Sequence, residues 1–246
     1  MELNQEQLAA FARDGFLVIR NFLDKRRCSI IKDIAEVHLK YAIEPIETEF
    51  EYIGIDKEVY KQSVRRLRQV YDRDIVFREW MENQEIRPVL RAILDEEPVL
   101  LTAHHNSIMT KLAHTSTQTC WHRDSRYWHF KGTNLVSVWL ALGREYSENG
   151  VLEFIPGSHK MELREELFDE KSFFRSDLEE NQEIIEKKVS LELDAGDIVL
   201  FHSELLHRAN ANSTDEDKIS FVYTVKGESV KAIEATRSSK FKEIAL

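Results

Sequence analysis

Near residue 98 the hydrophobic pattern of the chain changes period, and this switch restricts the fold more than any other feature. Upstream, apolar residues recur at helical spacing. Asn4 and Gln7 form a capping-box signature ahead of Leu8 and Phe11, and Gly15 is a natural helix stop. Phe16–Arg20, FLVIR, reads as a short strand, and Asp24–Tyr41 as a helix with Cys28, Ile31, Ile34 and Leu39 on or near one face. Residues 45–95 read as mostly helical and charged, with VYKQSVRRLRQVY and IRPVLRAIL as the clearest pieces. Downstream, β-rich runs alternate with turns: PVLLTAHHNSIMTK, NLVSVWLAL, VLEFIPGSH, KKVSLELDAGDIVLFH and KISFVYTVK. A charged stretch, residues 160–187, interrupts them and is expected to overhang the mouth of the β structure as a lid. Helices first and antiparallel strands afterwards predict a mainly β fold, a sandwich or jelly roll packed by N-terminal helices. The helical part has too few residues for a core of its own. The expectation is therefore one domain over residues 1–246, helical over 1–97 and a barrel over 98–230.

Charge narrows the partners. The chain holds 34 Lys+Arg against 44 Asp+Glu, a formal net charge of −10. Sequence-independent nucleic-acid binding runs on surplus cations, and so does attraction to an anionic membrane surface, so neither partner is expected. No apolar run approaches the ~18 residues a membrane helix needs. The opening residues MELNQEQLAAFARDG lack a basic stretch followed by an apolar one, so a cytoplasmic location is expected. Two cysteines, Cys28 and Cys120, are too few for a disulfide framework.

The chemistry concentrates in Trp121-His122-Arg123-Asp124. On a strand, residues two apart face the same way, so His122 and Asp124 can aim an imidazole and a carboxylate at one point. A third ligand would come from elsewhere: His207 lies just past the strand-like run Ile198–His202, and His202, which ends that run, is its rival. Two His and one carboxylate on one side of a metal, with other positions open, is the arrangement of non-haem Fe(II) oxygenases. The plain structural alternative is a hydrogen-bonded His–Asp pair.

Around this pair the sequence resembles the phytanoyl-CoA dioxygenase family, Fe(II)- and 2-oxoglutarate-dependent oxygenases on a double-stranded β-helix. The segments that carry the resemblance are QEQLAAFARDGFLVIRNFLD, CWHRDSRYW, SVWLALGREYSENGVLEFIPGSHK and LDAGDIVLFHSELLHRANANS. The resemblance implies His122, Asp124 and His207 as catalytic iron ligands, with His207 rather than His202 in the family's position. It implies 2-oxoglutarate as cosubstrate, O2 as oxidant and a small-molecule substrate. The family's cation for the distal carboxylate, normally an Arg, falls on Lys218, with Ser220 on the same face of KISFVYT. An ammonium supplies charge without the bidentate fork. Trp139 matches an aromatic of the cosubstrate pocket, and Arg123 stands where it can contact the cosubstrate or an acidic substrate. Arg126, Tyr127 and Trp128 are expected on the substrate side, Cys120 as a buried thiol on the ligand face, and His159 in a structural role. Retention of Asp124 favours hydroxylation over halogenation. Two readings compete with a hydroxylase: a cupin-like metal dioxygenase that takes no 2-oxoglutarate, and a non-catalytic barrel that only binds.

Overall fold

A computed structural model describes all 246 residues. Strands are numbered in chain order: β1 Phe16–Ile19, β2 Ile46–Thr48, β3 Val64–Arg68, β4 Pro98–Leu101, β5 Asn106–Lys111, β6 Thr119–His122, β7 Phe130–Lys131, β8 Leu135–Ala141, β9 Leu152–Phe154, β10 Val189–Ser190, β11 Ile198–His202, β12 His207–Ala209, β13 Lys218–Gly227, β14 Lys231–Ala232 and β15 Glu243–Ala245. The larger sheet runs β1-β11-β8-β13-β5-β3-β2, with β4 on β13 and β15 on β4; the smaller runs β10-β9-β12-β6. All pairings in both are antiparallel. Together they form the expected jelly roll.

Alternation along β8 and β13 divides the interior. Val136, Val138, Leu140, Ile219, Phe221, Tyr223 and Val225 join the large core against the helices, which contribute Phe11, Ile31, Phe77 and Leu90. The opposite faces point between the sheets, where Trp139, Phe154, Phe201 and Val222 form a second cluster. Ser137, Lys218 and Ser220, on that inner face, are buried as well. The N-terminal helix, Gln5–Asp14, begins with the expected box: the Gln7 amide donates to Asn4 Oδ1 and the Asn4 amide to Gln7 Oε1. Gly15 closes it at φ 84°. Helix Lys25–Lys40 is capped by Asp24 and buries Cys28 and Ile31.

Two expectations need correction. The VRRLR of VYKQSVRRLRQVY is strand β3, hydrogen-bonded beside β5, after a short helix at Glu58–Gln62. Leu67 is fully buried in the core while Arg66 and Arg68 line a cavity, a period of two that tertiary pairing imposes over helical propensity. Residues 160–187 do not overhang the mouth as a whole. They dock through Leu167, Phe174 and Ile185 on Trp121, Ile155 and Leu206, and the Phe174 amide donates to the Trp121 carbonyl at 2.8 Å. Only the tip, at Lys171 and Phe173, reaches the cavity. No helix is long and apolar enough to cross a membrane.

Candidate metal centre and its cavity

The smaller sheet builds the centre. Register sets His122 of β6 opposite His207 of β12, with ring centroids 4.2 Å apart. Arg123 stays extended, and Asp124 opens a 3-10 turn that carries its carboxylate under both rings. The Nε2 atoms of His122 and His207 lie 3.8 and 3.5 Å from Asp124 Oδ1. One ligand atom from each of the three residues falls within 4.8 Å of the others. Each histidine spends Nδ1–H on the carbonyl two residues earlier: His122 on Cys120 at 2.8 Å, His207 on Leu205 at 2.9 Å. Those bonds fix the tautomer and leave both Nε2 lone pairs facing the same point. Asp124 is fully buried; its Oδ2 accepts from the Ser137 hydroxyl at 2.7 Å, whereas Oδ1 has no hydrogen-bond partner.

Electrostatics prepare the same donors. Burial pushes the His122 and His207 imidazoles down, keeping them neutral. Burial alone would raise Asp124, but the neighbouring His105 and His207 more than reverse this and hold it well below the usual carboxylate range. A carboxylate oxygen without a partner between two neutral imidazoles suits a divalent transition metal, and the donor set is that of a non-haem iron site.

A cavity of about 910 Å³ adjoins the centre. Met109, Trp139, Leu152, Phe201 and Val222 line its inner end, and Arg126, Tyr127 and Trp128, in and just after the Asp124 turn, line it as well. The inner wall differs from expectation. Lys218 Nζ lies 3.1 Å from Glu145 Oε2, Ser220 Oγ donates to Glu145 Oε1 at 2.7 Å, and the Trp139 indole N–H donates to the same carboxylate at 3.1 Å. Glu145 is fully buried. Three of the four residues assigned to the cosubstrate thus converge on a carboxylate of the chain itself.

Arg123 must also be corrected. It ion-pairs with Glu204 at 3.2 Å and donates to the carbonyls of Ser158 and Met161, and it is absent from the cavity lining. Alternation explains this: a residue between two inward ligands points outward. Cys120 is exposed rather than buried. The β6–β12 register shifts between the His122 and Thr119 pairings, so a bulge puts Thr119, three residues back, on the cavity side instead. His202 sits 5.3 Å from His159, centroid to centroid, outside the ligand group.

Four residues escaped the sequence reading. Ser137, a lone hydroxyl in LVSVWLAL, gave a usable signal. His105, 3.2 Å from Asp124 Oδ1, sits at a positive φ of 33° after β4 and gave none. Glu145 lies in an isolated β-bridge to Leu193 outside the named strands, and Lys111 ends a strand of mixed character.

The family model for phytanoyl-CoA dioxygenase matches residues 11–220. A probable phytanoyl-CoA dioxygenase of Caenorhabditis elegans is 24% identical over 87% of this chain and 72% of its own length. The human peroxisomal phytanoyl-CoA dioxygenase is 25% identical over 86% of this chain, which spans 65% of that protein. An ectoine dioxygenase of Nocardia farcinica is 28% identical, over 65% and 52% respectively. Among solved structures, EctD from S. alaskensis with 2-oxoglutarate and 5-hydroxyectoine superposes with a TM-score of 0.77 at 21% identity, covering 94% of this chain and 78% of that one. The epimerase SnoN in complex with Fe3+, α-ketoglutarate and nogalamycin RO gives 0.76 at 19%, covering 98% and 94%.

Proposed function

Because the chain belongs to the phytanoyl-CoA dioxygenase family, we propose that it is a non-haem Fe(II)- and 2-oxoglutarate-dependent dioxygenase hydroxylating a C–H bond of a small molecule. The observation that carries this is the convergence of the buried Asp124 Oδ1 with the Nε2 atoms of His122 and His207, one ligand atom from each within 4.8 Å of the others. Those three residues would hold Fe(II). Bound there with 2-oxoglutarate and O2, the metal supplies oxidative decarboxylation to succinate and CO2 and the oxidising power for hydroxylation.

The protein's part is positioning. Carbonyls of Cys120 and Leu205 hold the two rings, and Ser137 holds the carboxylate, so the donors do not reorganise when the metal arrives. Phe154 and Phe201 pack on the His207 ring, with centroids 5.9 and 4.9 Å away, and keep water from that side. Arg66, Arg68 and Arg237 gather at another part of the cavity lining, where Arg66 alone has a carboxylate partner, Glu47. The surplus of guanidinium favours a substrate bearing an anionic group.

The competing reading, a metal dioxygenase that takes no 2-oxo acid, draws on Glu145 filling the cradle of Lys218, Ser220 and Trp139. Succinate formed from 2-oxoglutarate with Fe(II) and O2 separates the two. We expect slow succinate release without added substrate, lost in Asp124→Ala. Fe(II) binding by the parent protein without any succinate would overturn the 2-oxoglutarate reading.

A further inference from the structure

The deep end of the cavity does not balance its charge. Three buried cations line it: Arg65, Lys111 and Lys218. Arg65 is paired with the buried Glu49 at 3.0 Å and, at 4.0 Å, with Glu47, which Arg66 shares; Lys218 is paired with Glu145 at 3.1 Å. Lys111 forms no ion pair. Its Nζ donates only to neutral oxygens, the Thr117 carbonyl at 2.5 Å and Thr119 Oγ1 at 3.3 Å. A buried ammonium without a counter-ion is costly, and burial, with Arg65 beside it, pushes this one well below its ordinary pKa. The deep wall therefore has room for one more negative charge.

Lys111 is also held ready. It lies directly across from Lys218 in the β5–β13 register. Its stem passes over Gly150, where a Cβ would stand 3.1 Å from Lys111 Cγ and 2.6 Å from the Asn210 carbonyl oxygen. Gly150 has φ 84°, so glycine is needed for both the turn and the close approach. Thr119 Oγ1 already accepts from Arg65 at 2.5 Å and from Lys111, and its own hydrogen has no acceptor. An ammonium and a hydroxyl donor thus stand together on the side of β6 that carries His122, three residues along the same strand. Met109, Leu152 and Val222 supply apolar surface in the same cavity for a short methylene chain.

We propose that Lys111, with the Thr119 hydroxyl, binds the distal carboxylate of the 2-oxo acid cosubstrate, while Lys218 is committed to Glu145 as a structural pair. This rests on the 2-oxoglutarate reading above. It moves the cation one strand across the sheet, from β13 to β5, and gives Glu145 a reason: it neutralises the lysine in the family's position.

The test compares 2-oxoglutarate with 2-oxopentanoate, the same chain with a methyl group in place of the distal carboxylate. Both are titrated anaerobically by calorimetry into Fe(II)-loaded parent protein, Lys111→Met and Lys218→Met. In the parent, 2-oxoglutarate should bind at least about 30-fold more tightly than 2-oxopentanoate, the scale of a desolvated charge pair. Lys111→Met should bring the two affinities together without weakening Fe(II), and its urea midpoint should hold or rise, because an unpaired buried charge is gone. Lys218→Met should fall in urea midpoint yet keep the discrimination; where it fails to fold, Lys218→Arg, which retains the charge, replaces it. Full discrimination in Lys111→Met, or its loss in a folded Lys218 variant, overturns the assignment. Failure of the parent to bind 2-oxoglutarate at all would instead sink the cosubstrate reading.

Discussion

The two walls of the cavity are built on opposite plans. On the metal wall the charged and polar groups converge on one point: two Nε2 atoms meet Asp124 Oδ1, whose nearest neighbour outside the trio is His105 Nε2 at 3.2 Å. On the deep wall most charges are closed on themselves, Arg65 on Glu49 and Lys218 on Glu145, with Lys111 the exception. Open groups mark where a ligand belongs, and closed ones where the fold is held. The presence of a cation in a cavity therefore says little until its counter-ion has been located.

The sharpest break in this comparison is on the metal wall. Asp124→Ala should abolish succinate release and lower Fe(II) affinity by more than about 100-fold, beyond the range of changes to groups that merely orient ligands. His202→Ala should leave both unchanged. Equilibrium dialysis with Fe(II) checks the affinity.

Next in size is the closed pair. Lys218→Met strands Glu145 as a buried charge and should cost about 3–5 kcal/mol of stability by urea unfolding. Lys218→Met combined with Glu145→Leu should regain most of that loss, since no lone charge remains. A double variant as unstable as the single one would mean that the pair is not the closed unit described.

Smaller again is Ser137→Ala. It removes the hydroxyl from Asp124 Oδ2 and should weaken Fe(II) binding about 10- to 100-fold with little change in fold.

These cases also show what was legible in the sequence. His122, Asp124 and His207 could be located because their placement depends on short-range pattern: a strand period of two and a distal histidine in a recognisable run. The jelly roll was legible for the same reason, through alternation in NLVSVWLAL and KISFVYTVK. What failed was set by tertiary pairing. VRRLR is a strand only because β5 offers an edge, and Cys120 faces solvent only because β6 bulges against β12. Lys218 lost its free ammonium to Glu145, 73 positions away in an isolated bridge to Leu193 with no pattern of its own.

The smallest predicted effect concerns pH. Burial first, then His159 and Arg123, lower His202 to about 4. The unfolded chain takes up this proton near 6.5, so the stabilisation is complete above that pH and is lost as pH falls toward about 4. Urea midpoints should decline across that window, and His202→Gln should flatten the decline. An unchanged slope would show that His202 is not among the groups responsible.

The central claim, that one open point on the metal wall takes both iron and a 2-oxo acid, is tested most directly by visible absorption. A 2-oxo acid chelating Fe(II) produces a charge-transfer band. Anaerobic addition of Fe(II) to the protein with 2-oxoglutarate should develop that band and saturate it at stoichiometric metal. Asp124→Ala and His207→Ala should show none. Saturation of the band in either variant, or stoichiometric Fe(II) binding by the parent without it, would contradict the account.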